Sequence, residues 1–178
     1  AAHDEGFSHA LQIDADGQHD ARDIPRFLAA AEVHPDAVIA GQPEFDDSIP
    51  AGRLIGRYLT HVWVWIETLS FTIRDSMCGF RVYPLAAVIR VLDRARLGRR
   101  MDFDPEILVR LHWDGVRILP LPTRVIYPEG GTSHFRLWLD NWLITRMHTR
   151  LVFGMIWRVI LFRAGTFGGR NNRRNVVG

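Results

Sequence analysis

Short apolar runs alternate with stripes of apolar residues at helical spacing, the pattern of an α/β domain. Phe7 to Ile13 is a compact apolar run and reads as a buried strand, with Ala1 to Gly6 before it reading as the tail of a helix. From Ala21 to Val33, apolar Ile24, Phe27, Leu28 and Ala31 fall on one helical face; Pro25 is tolerated in the first turn and Asp20 is placed to cap it. Asp36 to Gly41 predicts a second short strand, and the polar, proline-bearing Gln42 to Gly52 a loop near the strand ends.

The second half is more apolar. Arg53 to Ile73 approaches membrane-spanning length, but Arg57, His61 and Glu67 interrupt it. Each charge near a bilayer centre would cost about 2.5 kcal/mol or more, so the stretch reads as a buried or interfacial helix. Asp75 to Tyr83 reads as a turn and a strand, Leu85 to Arg96 and Pro105 to Trp113 as amphipathic helices, the second capped by Asp104. Val116 to Leu121 and Thr123 to Tyr127 predict extended segments broken by Pro120 and Pro122, at a sheet edge. Pro128 to Ser133 predicts a loop, Phe135 to Phe162 a last long helix, and Gly165 to Gly178 a mobile basic tail.

Candidate chemistry concentrates where the first strand ends. Asp14, Asp16 and Gln18 follow it at alternate positions, so an extended chain would turn their oxygens to one point, at the strand end where open α/β sheets bind ligands. Hard oxygen donors suit Mg²⁺ or Mn²⁺, which complete their shells with water and substrate phosphates. Turn and capping roles are the plain alternative for such residues, but two adjacent carboxylates without a cation repel one another. Arg53 and Arg57 lie one helical turn apart and predict a basic face, for a phosphate or for solvent.

Three blocks carry a resemblance. Gln12 to Asp20 (QIDADGQHD) resembles the aspartate-any-aspartate segment of family 2 glycosyltransferases, in the DADxQH form of polyprenyl-phosphate glycosyltransferases such as dolichyl-phosphate mannose synthase. Asp75 to Tyr83 (DSMCGFRVY) is similar to that family's D-x-x-x-G-F-R-x-Y block, and Glu106 to Val109, Val116 to Pro122, Arg124 and Gly131-Thr132-Ser133 follow in matching order. The resemblance implies a GT-A fold that lacks roughly its first third, by ordinary domain size. The missing part would hold the nucleotide, and a complementary N-terminal segment would supply it. It implies three parts: residues 1–134 as the remaining two-thirds of the catalytic domain, 135–163 as an amphipathic membrane-associated helix, and 164–178 as the tail.

Its implied roles are specific. Asp14, Asp16 and Gln18 would hold the metal on the donor diphosphate, with Arg124 and Ser133 at the phosphates and Arg53, Arg57 and Arg81 at an acceptor phosphate. Asp75 or Asp102 would act as base for an alcohol acceptor, Asp104 being the neighbouring option; an ionised lipid phosphate would need no base. The implied reaction is inverting sugar transfer from a nucleotide-diphosphate sugar to a lipid acceptor such as a polyprenyl phosphate. A noncatalytic module that binds a membrane or partner is the alternative.

Composition adds bounds. The 178 residues are 47% hydrophobic, enough to bury a core. The single cysteine, Cys78, excludes an internal disulfide and reads as a buried, inert thiol, in keeping with a cytoplasmic setting. Net charge is +2, but residues 1–50 hold eleven carboxylates against Arg22 and Arg26, and every basic residue is arginine. Arginines alternate with Trp138, Trp142, Phe153 and Trp157 in the last helix, which predicts contact with anionic lipid at the cytoplasmic membrane face. No nucleic-acid-binding motif accompanies them.

Overall fold

The computed structural model describes residues 2–45, 51–126 and 136–168 and, within them, the side chains of all but 51, 53 and 162–168. The elements are β1 (His9–Gln12), a 3₁₀ turn (Ala21–Asp23), α1 (Ile24–Val33), β2 (Val38–Phe45), α2 (Ala51–Thr68), β3 (Arg81–Pro84), α3 (Leu85–Arg94), α4 (Phe103–Trp113), β4 (Ile118–Val125) and α5 (Leu137–Gly168). This is an α/β protein with a four-strand mixed sheet and five α-helices among the described residues.

The strand order is β1-β3-β2-β4. β3 runs antiparallel to both β1 and β2, and β2 runs parallel to β4. The carboxyl ends of β1, β2 and β4 therefore share one edge of the sheet with the amino end of β3. Alternation along the strands separates two cores. Ile39, Phe80 and Val82 pack on α1 through Phe27 and Ala31, with the Phe27 and Phe80 rings stacked at 4.0 Å. Val38, Ala40 and Tyr83 belong to the larger opposite core, which α2 to α5 cover through Val64, Leu108, Leu111, Met147 and Leu151.

Several boundaries differ from the sequence expectation for physical reasons. Residues 2–6 form a turn rather than a helix tail, closed by hydrogen bonds from Gly6 N to the His3 carbonyl and Phe7 N to the Ala2 carbonyl, with Gly6 at φ 88°. β2 continues through Pro43 to Phe45, because β3 pairs only with Ile39 and Ala40 and leaves the later residues to β4. β4 is continuous; Pro120 and Pro122 are exposed on this edge strand and do not break it. α2 stops at Thr68, where Leu69 takes a left-handed φ of 52° and Ser70 N bonds the Trp65 carbonyl. α4 begins at Phe103 with Asp102 at its N-cap, so Asp104 lies in the first turn and is not the cap.

The last helix differs most. α5 runs on to Gly168, past the expected end at 162, and apolar residues occupy both its packed side (Met147, Leu151) and its outer side (Trp138, Phe153, Trp157). The described apolar residues thus line more than one side of α5. Among the described residues no helix is long and apolar enough to cross a membrane.

Candidate functional site at the carboxyl edge of the sheet

After β1 the chain crosses the carboxyl edge of the sheet from one side to the other. It leaves β1 at Gln12, turns at Asp16-Gly17, and reaches β4, where His19 bridges Val125 and the Gln18 carbonyl accepts from Ile126 N at 3.1 Å. Gly17 takes φ 74°, and the Asp16 carboxylate folds back to accept from Gln18 N at 3.0 Å. The segment is thus a turn, and the convergence expected from extended-chain alternation does not apply. Asp14, Asp16 and His19 are instead gathered by the turn itself.

Asp14 meets the second motif block directly. Its carboxylate rests against Gly79 so closely that a Cβ there would overlap it, and no described residue hydrogen-bonds to it. Residue Asp14 stays open to solvent while its carboxylate is tucked against the buried Gly79 backbone. Burial raises the Asp14 pKa, and Asp104 and Asp16 add to the rise; His19 and Arg81 pull the other way. His19 packs edge-on against Phe80 at 5.5 Å, and burial lowers its pKa against the pull of Asp14 and Asp16. Its Nδ1 is buried without a partner.

Beside this corner Asp75 gathers a buried network. The Arg57 fork reaches it from α2, Nε to Oδ2 at 2.6 Å and a terminal nitrogen to Oδ1 at 3.2 Å. His61 Nε2 lies 3.2 Å from Oδ2, while Met77 N and Cys78 N donate to Oδ1 at 2.9 and 2.7 Å. Both oxygens are thereby occupied, so proton abstraction by Asp75 would require breaking this network. Arg57 also stacks over the Phe45 ring at 5.0 Å. Burial pushes the Cys78 thiol up to about 11, as expected of an inert cysteine.

Arg81 is fully buried, which corrects its expected place at an acceptor surface. It donates to the Ser76 carbonyl at 2.8 Å, the Asp104 carbonyl at 2.9 Å and the Tyr83 hydroxyl at 3.0 Å, and pairs with the Asp104 carboxylate at 3.2 Å. The Tyr83 hydroxyl donates to Gln12, whose amide donates to Asp104 at 3.0 Å. This lattice pins the end of β1 to the start of α4. Asp102 lies elsewhere, buried against Gly98 and accepting from Arg100 N. Asp104, not Asp102, is thus the α4 carboxylate whose charge reaches Asp14.

Arg124 is exposed near the end of β4, in register with Glu44, and its charge adds to the Arg22 contacts that hold Asp20 down to about 2. Ser133, with the loop 128–133, and the Arg53 side chain lie outside the described residues. The sequence reading missed His19, His61 and Gln12 as participants and offered Asp104 only as an alternative base. His61 follows Arg57 at i+4, a spacing that could have found it; His19 ends the first motif; Gln12 and Asp104 are joined only by tertiary contact.

Among the described residues no three or more His, Cys, Asp or Glu are arranged to hold a metal ion. The two carboxylates, Asp14 and Asp16, fit a cation that brings water or phosphate oxygens of its own, rather than one caged by protein; the side chain of Gln18 is not shown beside them. The Asp14 carboxylate, raised by burial first and by its acidic neighbours Asp104 and Asp16 second, is the observation behind that fit. In comparisons with protein-family models and with curated proteins, this chain finds no match.

Proposed function

We propose that the chain carries the metal and acceptor side of a GT-A, family 2 type glycosyltransferase, moving a sugar with inversion from a nucleotide-diphosphate sugar to a lipid acceptor, a polyprenyl phosphate in the resembled enzymes. The observation that carries this reading is the juxtaposition of Asp14 with Gly79, which brings the first two resemblance blocks together at one sheet edge with the charge of Asp104 close by. Mg²⁺ or Mn²⁺, when bound, would neutralise charge on the leaving diphosphate. Asp14 and Asp16 would hold that cation, and the resemblance adds Gln18. Arg124 stands at the same edge for phosphate, the role the resemblance also gives to Ser133. Arg57, clamped by Asp75, presents positive charge where an acceptor phosphate would approach. For an alcohol acceptor the candidate bases are Asp75, Asp102 and Asp104, each of which accepts hydrogen bonds within the protein.

Isothermal titration with Mn²⁺ and a nucleotide diphosphate tests the reading. Binding that needs the metal and disappears in Asp16→Ala is expected; binding that ignores the metal, or no binding at all, overturns it. One observation favours the noncatalytic reading: the outer edge of β1 pairs with no strand among the described residues. A partner or a complementary N-terminal segment would complete the sheet there.

A further inference from the structure

α2 is built inside out. Arg57, Thr60, His61, Glu67 and Thr68 face the protein, while Ile55, Tyr58, Leu59, Val62, Trp63 and Ile66 form an outer stripe, each between 42% and 62% exposed. A helix on a water-facing surface shows the reverse. The inward polar groups are engaged: Arg57 and His61 on Asp75, Glu67 on His148 at 2.7 Å, and the Thr68 hydroxyl on the Val64 carbonyl. Rotating the helix to hide its apolar stripe would strip those partners. The stripe therefore calls for a cover outside the chain's described residues.

The adjoining helix extends that surface. α5 packs on α2 through His148, whose ring lies 6.0 Å from Trp63, and its far side exposes Trp138, Trp142, Phe153 and Trp157. The two helices contain only two carboxylates, Glu67 and Asp140, and both are fully buried. Arginines are exposed among the apolar residues, Arg146 on the same outer side as Trp142 and Phe153.

We propose that the outer face of α2, continued by α5, docks flat on an anionic lipid surface, its aromatic and aliphatic residues in the headgroup boundary and its arginines on lipid phosphates. A second copy fits poorly, because the exposed arginines of α5 would meet no exposed carboxylate on either helix of a partner copy, whereas lipid phosphates supply the opposite charge. The inference deepens the lipid-acceptor reading and rests on that reading for what the docked site does. It places Arg57 and Asp75 across the thickness of one helix from the bilayer.

Flotation with phosphatidylcholine vesicles, with and without phosphatidylglycerol, tests it on the full chain. The wild type floats with the anionic vesicles at low salt, and its tryptophan emission is quenched by brominated lipid. The exposed double change Leu59→Gln and Val62→Gln lowers partitioning by about tenfold, while Leu92→Gln on α3 leaves it unchanged. Wild type that stays in the aqueous phase unquenched, a double variant that floats as well as wild type, or a dimer in ultracentrifugation that this double change dissociates overturns the proposal. Should the double variant unfold, the wild-type quenching alone decides. Flotation without metal-dependent nucleotide binding leaves the docking surface standing and removes the transferase reading.

Discussion

The carboxyl of Asp14 is held protonated to a higher pH than an ordinary aspartate by burial against Gly79 and by the charge of Asp104. A cation competes with that proton. Mn²⁺ affinity should rise with pH through the raised value and begin to fall on acidification above the ordinary carboxyl range near about 4. Asp104→Asn keeps an oxygen for Gln12 and removes the negative charge, so the midpoint of Mn²⁺ binding should move to lower pH. Titrations from about pH 4 to about 7 read it, and an unmoved midpoint would show that Asp104 does not act on the metal corner. Asp75 behaves differently, being fully bonded. Asp75→Asn should cost about 3 kcal/mol in denaturant unfolding by leaving the Arg57 fork without its counter-charge. The motif spacing exposed Asp14 and Asp16 as a pair, but not why they meet. That depends on a left-handed Gly17 and on Gly79, contributed from across the sheet, which no local pattern encodes.

At the level of elements, periodicity located the helices and left their orientation open. The apolar stripe of α2 is plain in the sequence; that it faces outward follows from Asp75, His148 and Glu67 claiming the other side. Glu67 shows what such an inverted helix costs. Burial raises its pKa, partly offset by the His148 bond, and Oε2 is left without a partner. A carboxyl whose folded pKa lies above its unfolded value burdens the fold at neutral pH. That burden is relieved as pH falls through the folded value. Glu67→Gln keeps an acceptor for His148 without the charge. The variant should match or exceed wild type in thermal stability at neutral pH, and wild type should gain on it as the solution is acidified. Thermal scans across that range decide, and a gap that widens in favour of the variant on acidification would contradict the assignment.

Across the whole molecule, the alternation of strand and helix made the α/β class legible, whereas the order β1-β3-β2-β4 was not, since pairing between distant segments leaves no local trace. That order gives the acidic first part of the chain a position spanning the sheet's carboxyl edge, while the basic later part supplies the outer helices α2 and α5. A diphosphate entering with a cation would therefore seat at the acidic edge through the metal, apart from the basic outer helices. Pyrophosphate isolates this from nucleotide recognition. With Mn²⁺ and pyrophosphate at about a hundred times their dissociation constant, mass action adds about 2.7 kcal/mol, or about 5 to 10 °C in Tm for a chain of this size. Asp16→Ala should abolish the shift and Arg57→Gln should leave it largely intact, because Arg57 serves the acceptor side. A shift that survives Asp16→Ala would move the phosphate site away from the turn after β1.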